Sequence, residues 1–178
     1  MRLPLALPLL AATALAACAG PSGNPRPPQP AKPVDLQRYA GRWYEAARYD
    51  MSFEKGCDGV TAEYARRPDG LIRVINTCRQ GGPSGPIKST EGKAKIADPR
   101  TNAKLKVSFF GPFFLGDYWV LDHADDYSWS IVGEGSGRYL WLLTRRPPTP
   151  VELQALTDRA KAMGYDITML RVTRHAAS

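Results

Sequence analysis

From Val34 onward, apolar and polar positions alternate in short runs broken by turn residues, the pattern of successive half-buried strands. The clearest run is KLKVSFF, where Leu105, Val107 and Phe109 share one face and Lys104, Lys106 and Ser108 the other. WYEAARYD, VTAEYA, IRVINTC, STEGKAKIA, DYWVLDH, YSWSIVG and RYLWLLTR complete a set of eight. Turn-like stretches such as RRPDG, DPRTN and GEGSG separate them. Eight consecutive strands with short connections predict an all-β antiparallel meander, either closed as an up-and-down barrel or open as a sandwich. The period then changes. Thr149-Pro150-Val151-Glu152 reads as a capping box with Pro at the first helical position, and Leu153, Leu156, Ala160 and Met163 fall on one helical face. A single amphipathic helix of about 14 residues is expected against the outside of the sheet, with YDITMLRV as a short tail.

The first residues have a different pattern. Arg2 precedes an apolar run from Leu3 to Ala17 that Pro4, Pro8 and Thr13 interrupt, too short and too Pro-broken for a comfortable membrane-spanning helix. Residues 1–17 therefore read as an export signal. Leu15-Ala16-Ala17-Cys18 resembles the lipobox of bacterial lipoproteins, which implies cleavage before Cys18 and acylation of that residue. An ordinary signal cut near Ala17, with Cys18 an incidental thiol, is the competing reading. Ala19 in place of Asp goes, in such lipoproteins, with sorting to the outer membrane. Pro, Gly and polar residues then dominate through Pro33, so residues 18–33 are expected to form an acylated cysteine and an extended tether, and residues 34–178 the folded domain. The 178-residue length suits one domain with a substantial core.

Charge changes this picture little. The formal charge is +7, and loss of Arg2 with the signal lowers it to +6. With an export signal and no Lys/Arg run, that balance fits a solvated basic face near anionic lipid rather than a nucleic-acid partner. Cysteine and histidine are more informative. With Cys18 assigned to the anchor, Cys57 and Cys78 form an even pair in an oxidising compartment. They flank the predicted RRPDG hairpin, which brings them nearly opposite and predicts a disulfide. A metal site has little to draw on, since only His123 and His175 are present, and no cofactor-binding pattern stands out. No G-x-S-x-G or H-E-x-x-H constellation appears, so a catalytic role is not expected.

Three motifs in order give the chain a family resemblance. Gly41-Arg42-Trp43, Gly116-Asp117-Tyr118 and Arg145 in LWLLTRRP resemble the lipocalin family. The similarity is greatest to its bacterial outer-membrane group, related to apolipoprotein D and the plant temperature-induced lipocalins, and it covers nearly all of Val34 to Val172. It implies an eight-stranded antiparallel β-barrel with one C-terminal α-helix packed outside. It also implies that Trp43 lies across the closed end under the Arg145 guanidinium, with Tyr118 in the same floor, as structural rather than ligand-contacting residues.

A barrel of eight strands can enclose one small ligand. Strand parity nominates Ala47, Tyr49, Leu105, Val107, Phe109, Val120, Tyr139, Trp141 and Leu143 as its lining. Glu45 shares Trp43's parity, and a lone inward carboxylate needs a partner, for which Arg73 or another inward base is the candidate. FFGPFFL, Phe109 to Leu115, is an aromatic loop where polar turn residues are the norm. A flap over the mouth, a homodimer contact, a patch dipping into the bilayer, and a loop folded back on the core all remain open. The resulting expectation is a non-catalytic carrier of a fatty acid, lysophospholipid or similar single-chain amphiphile, held in the cell envelope through an N-terminal acyl anchor. The alternatives are a lipocalin-fold enzyme acting on a lipid and an envelope scaffold that binds nothing.

Overall fold

The computed structural model describes residues 23–176, so the stretch read as an export signal and Cys18 lie outside the described residues. A single helical turn, α1 (Leu36–Tyr39), leads into β1 (Gly41–Tyr49). The side chain of Asp35 caps that turn by accepting from the backbone N–H groups of Gln37 and Arg38. There follow β2 (Cys57–Arg66), β3 (Ile72–Gln80), β4 (Ile87–Ile96), β5 (Lys104–Ser108), β6 (Gly116–His123), β7 (Trp129–Gly133) and β8 (Leu140–Thr144). Each pairs antiparallel with the next, and β1 pairs with both β8 and β2, so the sheet closes as an eight-stranded up-and-down barrel and has no free edge.

Of these eight strands, the odd-numbered ones start at one end of the barrel, which α1 covers, and finish at the other. The α1 end is called the closed end below. Tyr39 and Trp43 are fully buried there, in one cluster with Tyr64, Ile72, Val74, Leu105, Val120, Val132 and Leu143 that forms the core of the barrel. A second cluster lies outside the wall, where α2 (Pro150–Ala162) packs Leu156 and Ala160 against Leu121, Ile131, Leu140 and Leu142. The predicted capping box is present: Thr149 accepts from the Glu152 backbone, and the Glu152 carboxylate accepts from the Thr149 N–H. The hydrogen bond from Arg146, then those from Thr149, push the Glu152 carboxyl down to about 2.

Two segments depart from expectation. The tail after α2 contains a ninth strand, β9 (Leu170–Val172), which pairs with Ala47–Tyr49 of β1. β1 bonds to β2 only through Gly41–Tyr44, so β9 and Thr173 fill the seam above it, with Thr173 N–H donating to Ala46 and Gly59 N–H to Arg174. The second departure is at the N-terminus. Residues 23–33, within the stretch expected as an extended tether, run along the barrel wall: Asn24 is buried and pairs with Gly137, Ala31 donates to Leu121, and Val34, just after it, donates to Thr101. Composition predicts that such a segment builds no core of its own, which holds, yet a preformed wall can still supply its backbone partners.

Candidate functional site in the barrel interior

The closed end is a satisfied polar and aromatic plug. The guanidinium of Arg145 sits 3.7 Å above the centre of the Trp43 ring. It donates to the backbone carbonyls of Ala40, Arg42, Arg38 and Tyr127 at 2.7 to 3.2 Å. The Trp43 indole N–H donates to Tyr39 O at 2.9 Å. Behind it the hydroxyls of Tyr39, Tyr64, Tyr118 and Ser130 form a chain with spacings of 2.9 to 3.0 Å. Burial pushes the Tyr39 phenol up to about 12, so this chain is neutral across the physiological range. A residual cavity of about 10 Å³ between Leu36, Tyr39, Tyr64, Ile72 and Leu105 is no larger than one water.

Toward the other end the inward rows open. On β5 Leu105 is buried, whereas Val107, and Phe109 just past the strand's end, remain half-buried although they point inward. On β8, Leu143 is buried and Trp141 half-buried in the same way. Gly92 makes room for Phe109: a Cβ there would lie 2.6 Å from the ring. At the rim, Tyr139 packs against Trp141, with ring centres 6.0 Å apart, and against Phe53 at 5.9 Å. The inward rows are therefore apolar and aromatic, and on β5 and β8 they lose burial toward this end.

One charged cluster interrupts it. Glu45 and Arg48 both point inward, and Arg48 Nη1 donates to Glu45 Oε1 at 2.5 Å. Thr173 Oγ1 also bonds Glu45 Oε1, and Arg48 Nη2 donates to the carbonyls of Glu54 and Cys57. Arg48 Nε lies 3.0 Å from Glu54 Oε2, close enough for an ion pair but out of line for a hydrogen bond. Two carboxylates thus share one guanidinium in a poorly solvated place. Burial, then repulsion from Glu45, pushes the Glu54 carboxyl up to about 8 against the pull of Arg48. Burial likewise raises Glu45, opposed by Arg48 and Thr173.

This cluster also explains where parity fails. The β1–β8 register shifts between Glu45 and Ala47, a β-bulge that places Arg48 on the same face as Glu45 and turns Ala47 and Tyr49 to the outside. Ala47 and Tyr49 therefore do not line the interior: both belong to the cluster under α2, and the Tyr49 hydroxyl donates to Asp166 O. The other nominated residues, Leu105, Val107, Phe109, Val120, Trp141 and Leu143, come together inside the barrel, and Tyr139 stands at its rim. Arg73 is not the partner of Glu45, since it lies outside and pairs with Glu91 at 2.6 Å. Asp117 of the second motif pairs its half-exposed carboxylate with Lys106 on the wall. Tyr127 closes the floor beside Arg145, accepting from its Nε on the backbone carbonyl; its ring stacks on His123 and its hydroxyl receives the Asp35 N–H. The sequence reading missed Tyr39, Tyr64 and Tyr127. Tyr127 has a local signal, a polar HADDY turn ending in an aromatic residue.

Cys57 and Cys78 are disulfide-bonded and packed with Val60. Outside the barrel, a hollow of about 380 Å³ on the β1–β3 wall is lined by Arg42, Glu63, Arg79 and His175 as well as Tyr44 and Ile75. Its charged and solvated walls do not suit a hydrocarbon chain.

Residues 34–175 match the model of the lipocalin-like domain family. The chain is 41% identical over 150 residues to outer membrane lipoprotein Blc of Vibrio cholerae, covering 83% of this chain and 86% of that protein. It is 41% identical over 152 residues to temperature-induced lipocalin-1 of Arabidopsis thaliana, covering 80% of each. Apolipoprotein D of Rattus norvegicus is 36% identical over 69% of each chain. Insecticyanin from the tobacco hornworm Manduca sexta superposes with a TM-score of 0.68 at 20% identity, over 87% of this chain and 88% of that one.

Proposed function

The chain belongs to the lipocalin family, and from that premise we propose that it is a non-catalytic carrier of one single-chain amphiphile, a fatty acid or lysophospholipid, held at the outer membrane by an acylated Cys18. The observation that carries this reading is the change along the inward rows from buried Leu105 and Leu143 to half-buried Val107, Phe109 and Trp141. Apolar surface that faces inward and still meets solvent is what a hydrocarbon chain would cover. Burying about a dozen methylenes there contributes on the order of 10 kcal/mol, which association costs reduce to roughly micromolar affinity. The plug of Trp43, Arg145 and the tyrosines would limit how deep the chain reaches.

That the bacterial relatives are outer membrane lipoproteins supports the outer-membrane location and the lipidation of Cys18, in agreement with the lipobox-like LAAC and the Ala that follows it. Lipid extraction and native mass spectrometry of the purified protein test the carrier reading. One amphiphile per barrel is the expected result. An empty barrel that also fails to bind added lysophospholipid would leave only a scaffold role.

A further inference from the structure

The open end differs from the closed end in what it shows to solvent. Phe53, Ile87, Phe110, Phe113 and Leu115 are 63 to 86% exposed, and all lie at or beside the open-end loops. They make up five of the seven exposed large hydrophobics among the described residues; Val151 starts α2 at the closed end, and Val172 ends β9. The reading of FFGPFFL as a loop folded back on the core fails for these side chains. Only Phe109 turns inward, while Phe114 lies beneath the ammonium groups of Lys93 and Lys95. Exposed Lys55, Lys88 and Arg138 stand at the same end; of the exposed acids there, Asp50 has Arg171 3.8 Å away and Asp166 accepts from Thr168 N–H and Oγ1. An apolar rim set among cations complements a bilayer surface carrying anionic lipid.

The N-terminal strap supplies an independent observation. Val34 is bonded to Thr101 near the closed end, Ala31 to Leu121 part-way along the wall, and Asn24 to Gly137 in the β7–β8 loop at the open end. Gly23 O accepts from Asp166 N–H just beyond the last turn of α2, at that same end. The chain therefore runs from Val34 back up the barrel and leaves it beside the mouth. Only five residue steps separate Gly23 from Cys18, a reach of at most about 18 Å. An acyl chain on Cys18 cannot be far from the rim, and it cannot anchor the closed end, a barrel length away.

We infer that the protein stands mouth-down on the membrane, with the Phe53 and Phe110–Leu115 loops in the interfacial layer of an anionic bilayer beside the Cys18 anchor, so that an amphiphile passes between leaflet and barrel without crossing bulk water. The inference rests on acylation of Cys18 but not on the identity of the amphiphile.

The test uses the full acylated protein in phosphatidylethanolamine–phosphatidylglycerol vesicles. With Cys57 and Cys78 bridged and Cys18 acylated, Phe113→Cys adds a single free thiol at the open end, and Asp69→Cys adds one at the closed end. Each is given an environment-sensitive fluorophore. Lipid-borne quenchers should dim the label at 113 and leave that at 69 unchanged. Equal quenching, or quenching at 69 alone, would overturn the orientation. A label at 113 that is shielded in vesicle-free solution by a dimer of doubled mass, and that lipid quenchers do not reach, would overturn it in favour of a second copy of the chain. Adding Phe110→Asp and Leu115→Asp to the Phe113-labelled protein should abolish the quenching there while acylation persists. Mass measurement of the N-terminal peptide reads the anchor separately, so a failed lipidation is distinguished from a failed orientation.

Discussion

The two ends of this barrel are built from similar residues and put to opposite use. At the closed end Arg145 spends its donors on four backbone carbonyls and its face on Trp43, leaving little polar capacity free. At the open end Arg48 is divided between two glutamates, Glu54 Oε2 has no hydrogen-bond partner, and aromatic side chains stand in solvent. The first arrangement suits permanence, because satisfied buried polar groups rigidify a core. The second is incomplete in a way that a ligand or a membrane could complete. Stability and binding should therefore separate by end, and substitutions can break or sharpen that division.

The largest effect is expected at the plug. Trp43→Ala removes a fully buried ring and the platform for Arg145, and should cost about 3–5 kcal/mol in chemical denaturation. Lipid affinity per folded molecule should stay within a few-fold of wild type, as read by titration below the unfolding transition. Replacing both bridged cysteines by serine removes a link across 21 residues and should cost about 3 kcal/mol, again with little change in affinity. Loss of binding at an unchanged melting temperature in either case would erase the division.

The converse test lies on β8. Trp141→Ala takes a half-buried ring from the open half, so it should weaken amphiphile binding by roughly tenfold while changing stability less than Trp43→Ala does. The smallest effect concerns pH. Glu54 has a folded pKa of about 8 against an ordinary 4.5, so protonation favours the folded state. Its contribution is complete below 4.5 and is lost as pH rises through about 8. Glu54→Gln should flatten the fall in melting temperature over that interval, leaving the slope that comes from Glu45, which burial also raises. An unchanged slope would mean that Glu54 is well solvated in the folded protein.

Much of the fold was legible because alternation is a local property. The strand runs, the capping box at Thr149 and the cysteines around one hairpin each carry their signal within a few residues. The inner wall was legible only where the alternation stays regular. YEAARY contains no Gly or Pro to mark the bulge at Ala46, so parity turned Ala47 and Tyr49 inward and hid Arg48, the residue that answers Glu45 three positions earlier. β9 and the strap of residues 23–33 were illegible for another reason. Neither has a pattern of its own, and each is held by hydrogen bonds to a wall formed elsewhere in the chain.

The central claim, that an amphiphile occupies the open half of the interior, is tested most directly by titrating the protein with a lysophospholipid brominated along its acyl chain while following tryptophan emission. Trp141 lines that half, Trp43 is part of the plug, and Trp119 and Trp129 pack in the cluster outside the barrel. Saturable one-to-one quenching in the wild type, mostly lost in Trp141→Phe although binding persists by mass, is the predicted result. Quenching that is undiminished in Trp141→Phe, or that never saturates, would contradict it.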